Sequence, residues 1–271
     1  FLDVLLKPSD NLRIQAHLAG LVLDGASDDF SAVDPRIGIG WSPAEGHWLR
    51  AAGVRETVLP SVVSLAPQAT VGLVPDAAPL GLGGEVDSAV LRWDAEWSPR
   101  LFTSVEFQHQ AFERLAFDVP GSLLDYPVER ARLSRIAAAA DLWLGHGVGL
   151  TGSYTRTWSE VLDDGRPDIA GEGGQLPYLP ADFARAGLVF VHPTRVRASL
   201  TQTYVGGRIG DLPGTRLDDF TLTDVGLSWE SPDRRLRLSA DVFNVFDERF
   251  DIAPGTPGWG RTALFRGEVR F

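Results

Sequence analysis

The chain has 271 residues, no cysteine, no methionine and a formal net charge of −11. The acidic balance argues against nucleic-acid binding, which wants a basic stripe, and the missing cysteines exclude a disulfide framework or a thiolate site. No run of about 18 uncharged apolar residues occurs, which excludes a transmembrane helix but not a transmembrane β-barrel, whose strands give lipid only alternate residues.

The chain opens at Phe1 with neither an initiator nor a signal-peptide pattern, so a processed product or a piece of something longer is expected. A first tight turn is predicted at Pro8-Ser9-Asp10 and a second at 42–46, both built from turn-favouring residues. In 84–97, Ala89, Leu91, Trp93, Ala95 and Trp97 alternate with Ser88, Arg92, Asp94 and Glu96. In 101–111, Leu101, Val105 and Phe107 alternate with Ser104, Glu106, Gln108 and Gln110. The alanine-rich 128–144 has helix-forming residues, yet it sits between a long connection and a tight turn, where a strand is expected. In 147–158, Val148, Leu150, Tyr154 and Trp158 face away from Thr151, Ser153, Thr155 and Thr157. The segment 182–191 is apolar on both faces near its end, which leaves its register open. In 234–246, Leu236, Leu238, Ala240 and Val242 oppose Arg235, Arg237, Ser239 and Asp241. In the closing RTALFRGEVRF, Ala263, Phe265, Gly267, Val269 and Phe271 share one face, and Arg266, Glu268 and Arg270 share the other with Leu264.

The connections alternate. Short turns fall at 8–10, 42–46, 98–100, 145–147, 192–194 and 231–233, and long ones at 25–34, 58–83, 114–128, 160–181, 207–216 and 247–260. An outer-membrane barrel has short periplasmic turns and long outer loops. The pattern predicts an all-β, transmembrane antiparallel meander β-barrel domain over 1–271 with roughly 13 strands. An odd count, with both terminal strands running inward, implies that further strands lie upstream. Trp41, Trp93, Trp97, Trp143, Trp158 and Trp229 are expected in aromatic girdles. Charges on the second face of each strand, among them Arg92, Asp94, Glu96, Arg235, Arg237 and Asp241, would be ruinous in a soluble core unless paired. A wide hydrated or filled lumen tolerates them.

Four stretches carry a family resemblance. LRLSADVFNVFDERF (236–250) runs an alternating strand into Asn244, Val245, Phe246, Asp247 and Phe250. LPYLPADFARAGLVFVHP (176–193), TQTYVGGR (201–208) and PRIGIGWSPAEGHWLRAAGVRETVLPS (35–61) precede it in order. Together they resemble the C-terminal part of the barrel of a TonB-dependent outer-membrane receptor. The resemblance implies a 22-stranded barrel of which about nine strands, the TonB box and the plug domain are not in this chain. It implies a bacterial (Gram-negative) outer-membrane location and lipid-bilayer contact. The implied ligand is an extracellular small molecule or metal chelate, such as siderophore-iron or cobalamin, taken up through the TonB complex. The lumen charges would meet the plug, and Phe265, Val269 and Phe271 resemble the signal read by the outer-membrane assembly machinery. The long connections 58–83 and 160–181, the latter including Tyr178 and 171–174, are candidates for ligand capture or gating.

No catalytic, cofactor-binding or metal-binding residues are assigned. His17, His47, His109, His146 and His192 lack metal-ligand spacing, and the acidic pairs 28–29, 163–164 and 218–219 read as solvated loop carboxylates. GLGG (81–84) and GEGG (171–174) do not open helices after strands, as a dinucleotide motif requires. Two other readings stay open: a passive porin-like channel, and an outer-membrane hydrolase in which outward-facing His109 meets a serine and an acid.

Overall fold

The computed structural model describes residues 1–23, 30–58, 69–75, 84–118, 125–163, 174–210 and 215–270. Thirteen strands form one sheet in chain order: β1 (Leu2–Ser9), β2 (Leu12–Leu23), β3 (Phe30–Trp41), β4 (His47–Val58), β5 (Gly84–Ser98), β6 (Leu101–Asp118), β7 (Asp125–Gly145), β8 (Val148–Asp163), β9 (Asp182–Val191), β10 (Val196–Val205), β13 (Phe220–Glu230), β14 (Leu236–Phe243) and β17 (Thr262–Val269). Two short hairpins lie in the late connections, β11 (Arg208–Ile209) with β12 (Arg216–Leu217) and β15 (Asp251–Ala253) with β16 (Thr256–Pro257). Every described pairing is antiparallel, for example Leu12↔Trp41, Val196↔Trp229 and Leu236↔Val269. Among the described residues no helix is long and apolar enough to cross a membrane.

The expected meander of about 13 strands is therefore present. The six short turns fall where expected, between consecutive strands. Two of them share a design. Pro193 and Pro232 sit at the second position, Arg195 N–H donates to His192 O and Arg234 N–H to Ser231 O, both at 2.9 Å, and both arginines have positive φ. Pro pre-sets the first central φ of such a turn, and the left-handed residue returns the chain to its strand.

The alanine-rich segment is a strand of 21 residues, since neighbours on both sides outweigh its local helix propensity. Its buried positions pass from Val128 to Ala131 and Leu133, with Glu129 and Arg130 both exposed. The burial alternation therefore shifts by one residue between Val128 and Ala131. In β9 the pairing settles the open register. Ala184, Ala186, Leu188 and Phe190 lie beside Tyr154, Gly152, Leu150 and Val148 on the apolar face, whereas Val189 and Val191 share the other face with Ser199 and Arg197.

The strands bury little. Leu91, Trp93, Trp97, Val105 and Phe107 are exposed on one face, as are Leu200, Val225, Leu227, Leu238, Phe265 and Val269. Soluble proteins rarely expose contiguous apolar patches beyond a few hundred Å², so rows of this kind suit a lipid surround. The chain divides into two compact units, Phe1–Ala95 with Val105–Ile136 and Thr157–Leu176, and Glu96–Ser104 with Ala137–Arg156 and Pro177–Phe271. Within the first, a small core of Ala52, Val54, Val90 and Leu73 lies on the face opposite the exposed tryptophans.

Candidate functional site

In the first unit, cross-strand registry stacks the polar residues into rows. Asp3, His17, Arg36, Val54 and Ser88 form one row, and Gly40, Arg50 and Arg92 belong to another. Arg50 and Arg92 stand directly opposite each other, an arrangement that is destabilising between like charges. Asp94 resolves it by binding both, Arg50 through Nη2 and Arg92 through Nε, the latter at 2.9 Å. Arg92 Nη1 continues to Glu106 Oε2 at 3.2 Å, and Glu106 Oε1 receives Arg135 Nη2, also at 3.2 Å. Arg135 Nη2 also donates to Gln108 Oε1 at 2.9 Å.

Acids thus alternate with arginines from β4 across to β7. Of the predicted lumen residues, Arg92 and Asp94 sit at the centre of this chain of charges. Arg50 and Arg135 complete it and carried no sequence signal of their own. Arg135 lies beyond the shift of alternation in β7, and the 47–58 segment shows no clean alternation of polar and apolar residues.

In the second unit, Arg197, Ser199, Ser228, Arg237, Ser239, Asp241, Arg266 and Glu268 line a recess of about 270 Å³. The registry places them together: Ser228 lies beside Arg197 and Ser239, and Arg266 and Glu268 lie beside Ser239 and Arg237. Arg195 pairs with Glu230 at 3.4 Å and Arg270 with Glu268 at 2.8 Å. Arg197, Arg237 and Arg266 make no ion pair among the described residues. Arg237 and Asp241 belong to this recess. Arg235 lies just before β14, where its N–H donates to Asp233 Oδ1 at 3.2 Å, and Glu96 is exposed near the end of β5.

The residues of the Asn-Val-Phe-Asp stretch tie a connection together. Asn244 is 3% exposed with φ +50, and its Nδ2 donates to Glu248 O at 2.9 Å and Trp259 O at 3.2 Å. Its Oδ1 accepts from Glu248 N–H at 2.8 Å, and its own N–H donates to Asp224 Oδ1. Asp247, with φ +56, accepts Arg261 N–H at 2.8 Å. Phe250 stacks on buried Phe220 with centroids 4.1 Å apart, under the Arg208 guanidinium. Phe246 is 76% exposed. The box ends β14 and fastens the loop beyond it.

Phe265 and Val269 lie on the apolar face of β17 opposite Ala240 and Leu236, while Phe271 is outside the described residues. Tyr178 has φ +61 and its N–H donates to Ile209 O at 2.8 Å. Residues 171–173 and most of 58–83 are also outside the described residues. His109 does meet a serine: its Nδ1 lies 2.8 Å from Ser134 Oγ. Both are half-buried and, among the described residues, no acid binds the ring, so the pair satisfies two polar groups on a face shared with Val105 and Phe107.

A protein-family model described as "TonB dependent receptor-like, beta-barrel" matches residues 115–245. Three solved structures share the fold. The ferric-catecholate import receptor Fiu from E. coli K12 has a TM-score of 0.70 at 12% identity, with 98% of this chain and 43% of that one covered. The ferric yersiniabactin uptake receptor FyuA from Yersinia pestis has 0.72 at 16% identity, covering 99% and 44%. The copper transporter OprC has 0.71 at 14%, covering 99% and 46%. The chain therefore spans less than half the length of these receptors. No curated protein sequence matches it. Residues 115–245 thus match the β-barrel of the TonB-dependent receptors, and the thirteen-stranded meander has the fold of these neighbours.

Proposed function

We propose that the chain forms part of the wall of an outer-membrane receptor that takes a metal chelate from outside a Gram-negative cell and passes it inward with energy from TonB. One observation carries the reading. The strands set a linked face of arginines, acids and amides against a face of exposed aliphatics and tryptophans. Paired charge of this density is costly in a dry core and tolerable beside water or a polar domain, while the other face suits acyl chains. The charged face is then the lumen.

On this reading Arg197, Arg237 and Arg266 remain available to acids on a plug domain. Phe265, Val269 and Phe271 present the terminal strand to the assembly machinery. The siderophore and copper receptors among the structural neighbours favour a chelated metal as the cargo.

The test is uptake of radiolabelled ferric catecholate, ferric yersiniabactin and copper by cells expressing the receptor that contains this chain, with and without an intact TonB system. Uptake of one cargo that disappears without TonB supports the proposal. Uptake that persists at the same rate without TonB supports a passive channel instead.

A further inference from the structure

Residues 69–75 belong to the long connection after β4, yet they lie on the charged face of β2 to β5. Thr70 and Leu73 exchange both backbone hydrogen bonds, at 2.8 and 2.9 Å, and Val71 and Gly72 between them have φ of +47 and +76. This is a two-residue hairpin tip of the primed kind. Valine is a poor choice for its first position, because a β-branched residue at positive φ is a genuine outlier. What holds the tip is the surface beneath it.

That surface is shaped to receive it. In Ile37-Gly38-Ile39-Gly40 both glycines fall on the charged face. A Cβ on Gly38 would come within 2.7 Å of Thr70 Cγ2 and 2.8 Å of Val71 Cγ2. Gln15 Oε1 accepts Val71 N–H at 2.7 Å, and Arg50 Nη1 donates to Gly72 O at 3.2 Å. Leu73, 3% exposed, packs on Ala52, Val54 and Val90, an apolar patch on an otherwise charged face. The tip is also far from where its connection starts. Gly38 pairs with Ala52, six residues before the end of β4 at Val58, a distance of roughly 20 Å at about 3.3 Å per residue.

We propose that segment 69–75 is an internal latch, a loop tip that crosses the charged face to a glycine-floored seat and narrows the passage there. The inference rests on the charged face being the lumen. Displacing the tip empties the seat and widens the route, and a domain or cargo pressing on the charged face competes for the same surface. Gln15, Gly38, Gly40 and Arg50 set the fit.

The absence of cysteine makes a clean test available. A Cβ on Gly40 would lie 3.8 Å from Val71 Cβ, the mean separation in a disulfide being about 3.8 Å. The receptor that contains this chain, carrying Gly40→Cys and Val71→Cys and with its plug domain deleted so that the lumen is open, is purified in detergent, checked for heat-modifiable migration as a folded barrel, and reconstituted in planar bilayers. We expect the disulfide to form, ion conductance to be low when oxidised, and conductance to rise on reduction. A second variant, Gly38→Leu, fills the slot and should conduct like the reduced form without any thiol. A folded protein whose disulfide fails to form overturns the latch, as does conductance unchanged by both reduction and Gly38→Leu. No conductance from any variant overturns the lumen assignment itself, and the latch with it.

Discussion

Asn244 and Trp259, fifteen residues apart, are joined by a hydrogen bond from Asn244 Nδ2 to the Trp259 carbonyl at 3.2 Å, while the same nitrogen reaches Glu248 O at 2.9 Å. One buried amide thus holds both ends of the connection between β14 and β17. Asn244→Ala would leave the Glu248 N–H and two carbonyls without their partner, at a cost of about 2 kcal/mol. We expect a lower urea midpoint with an unchanged slope. Asn244→Asp keeps the acceptor for Glu248 N–H and should fall between the two.

Glu106 joins Arg92 and Arg135, and its side chain is only 15% exposed. Glu106→Gln removes the charge that both guanidinia share and should destabilise by roughly 1–2 kcal/mol. The coupling with Arg135 is measured by a double-mutant cycle with Arg135→Gln. A coupling energy indistinguishable from zero would show that the pair is only a surface contact.

The strand order, the six short turns and the face of most strands were legible because period-two alternation and Pro/Gly turns are local properties of the chain. Three features were not. Arg135 was hidden by the shifted alternation between Val128 and Ala131, which shows only in the burial of the folded strand. The hairpins at 208–217 and 251–257 are strands of two or three residues, too short to show a period. The docking of Val71 beneath Gln15 links positions 56 residues apart, and no spacing rule reaches that far. For the Asn244 box the resemblance located the residues, whereas their work as a loop fastener came from the hydrogen bonds.

Trp93, Trp97, Trp143 and Trp229 are exposed near the short-turn ends of their strands, and Trp48 lies beneath the Arg13 guanidinium on the charged face. Single-tryptophan proteins in vesicles should separate these groups. Brominated lipid should quench the first four, strongest when the bromine is near the headgroup. Trp48 should resist lipid quenching and respond to an aqueous quencher. Equal lipid quenching of Trp48 and Trp97 would contradict the assignment of faces.

In the turn before β14, the Ser231 hydroxyl, followed by the Arg235 N–H, holds the Asp233 carboxyl below its usual range. A depressed carboxyl favours the folded turn above the ordinary carboxylate titration, and that contribution is lost as pH falls through the lowered value. Ser231→Ala should move the Asp233 titration, followed by carbon NMR of the labelled carboxyl, back toward the ordinary aspartate value. No movement would mean that the hydroxyl contributes nothing.

The central claim is that the two faces of these strands meet different surroundings, water or a polar domain on one side and lipid on the other. Its most direct test uses the receptor that contains this chain, with its plug domain deleted, in lipid vesicles, with single cysteine substitutions on adjacent strands and a membrane-impermeant thiol reagent. Ser228→Cys and Ser239→Cys, paired on the charged face, should label rapidly, whereas Leu227→Cys and Ala240→Cys, paired on the apolar face, should stay unlabelled until the membrane is dissolved. Equal labelling of all four, or faster labelling at Leu227 and Ala240, would contradict the account.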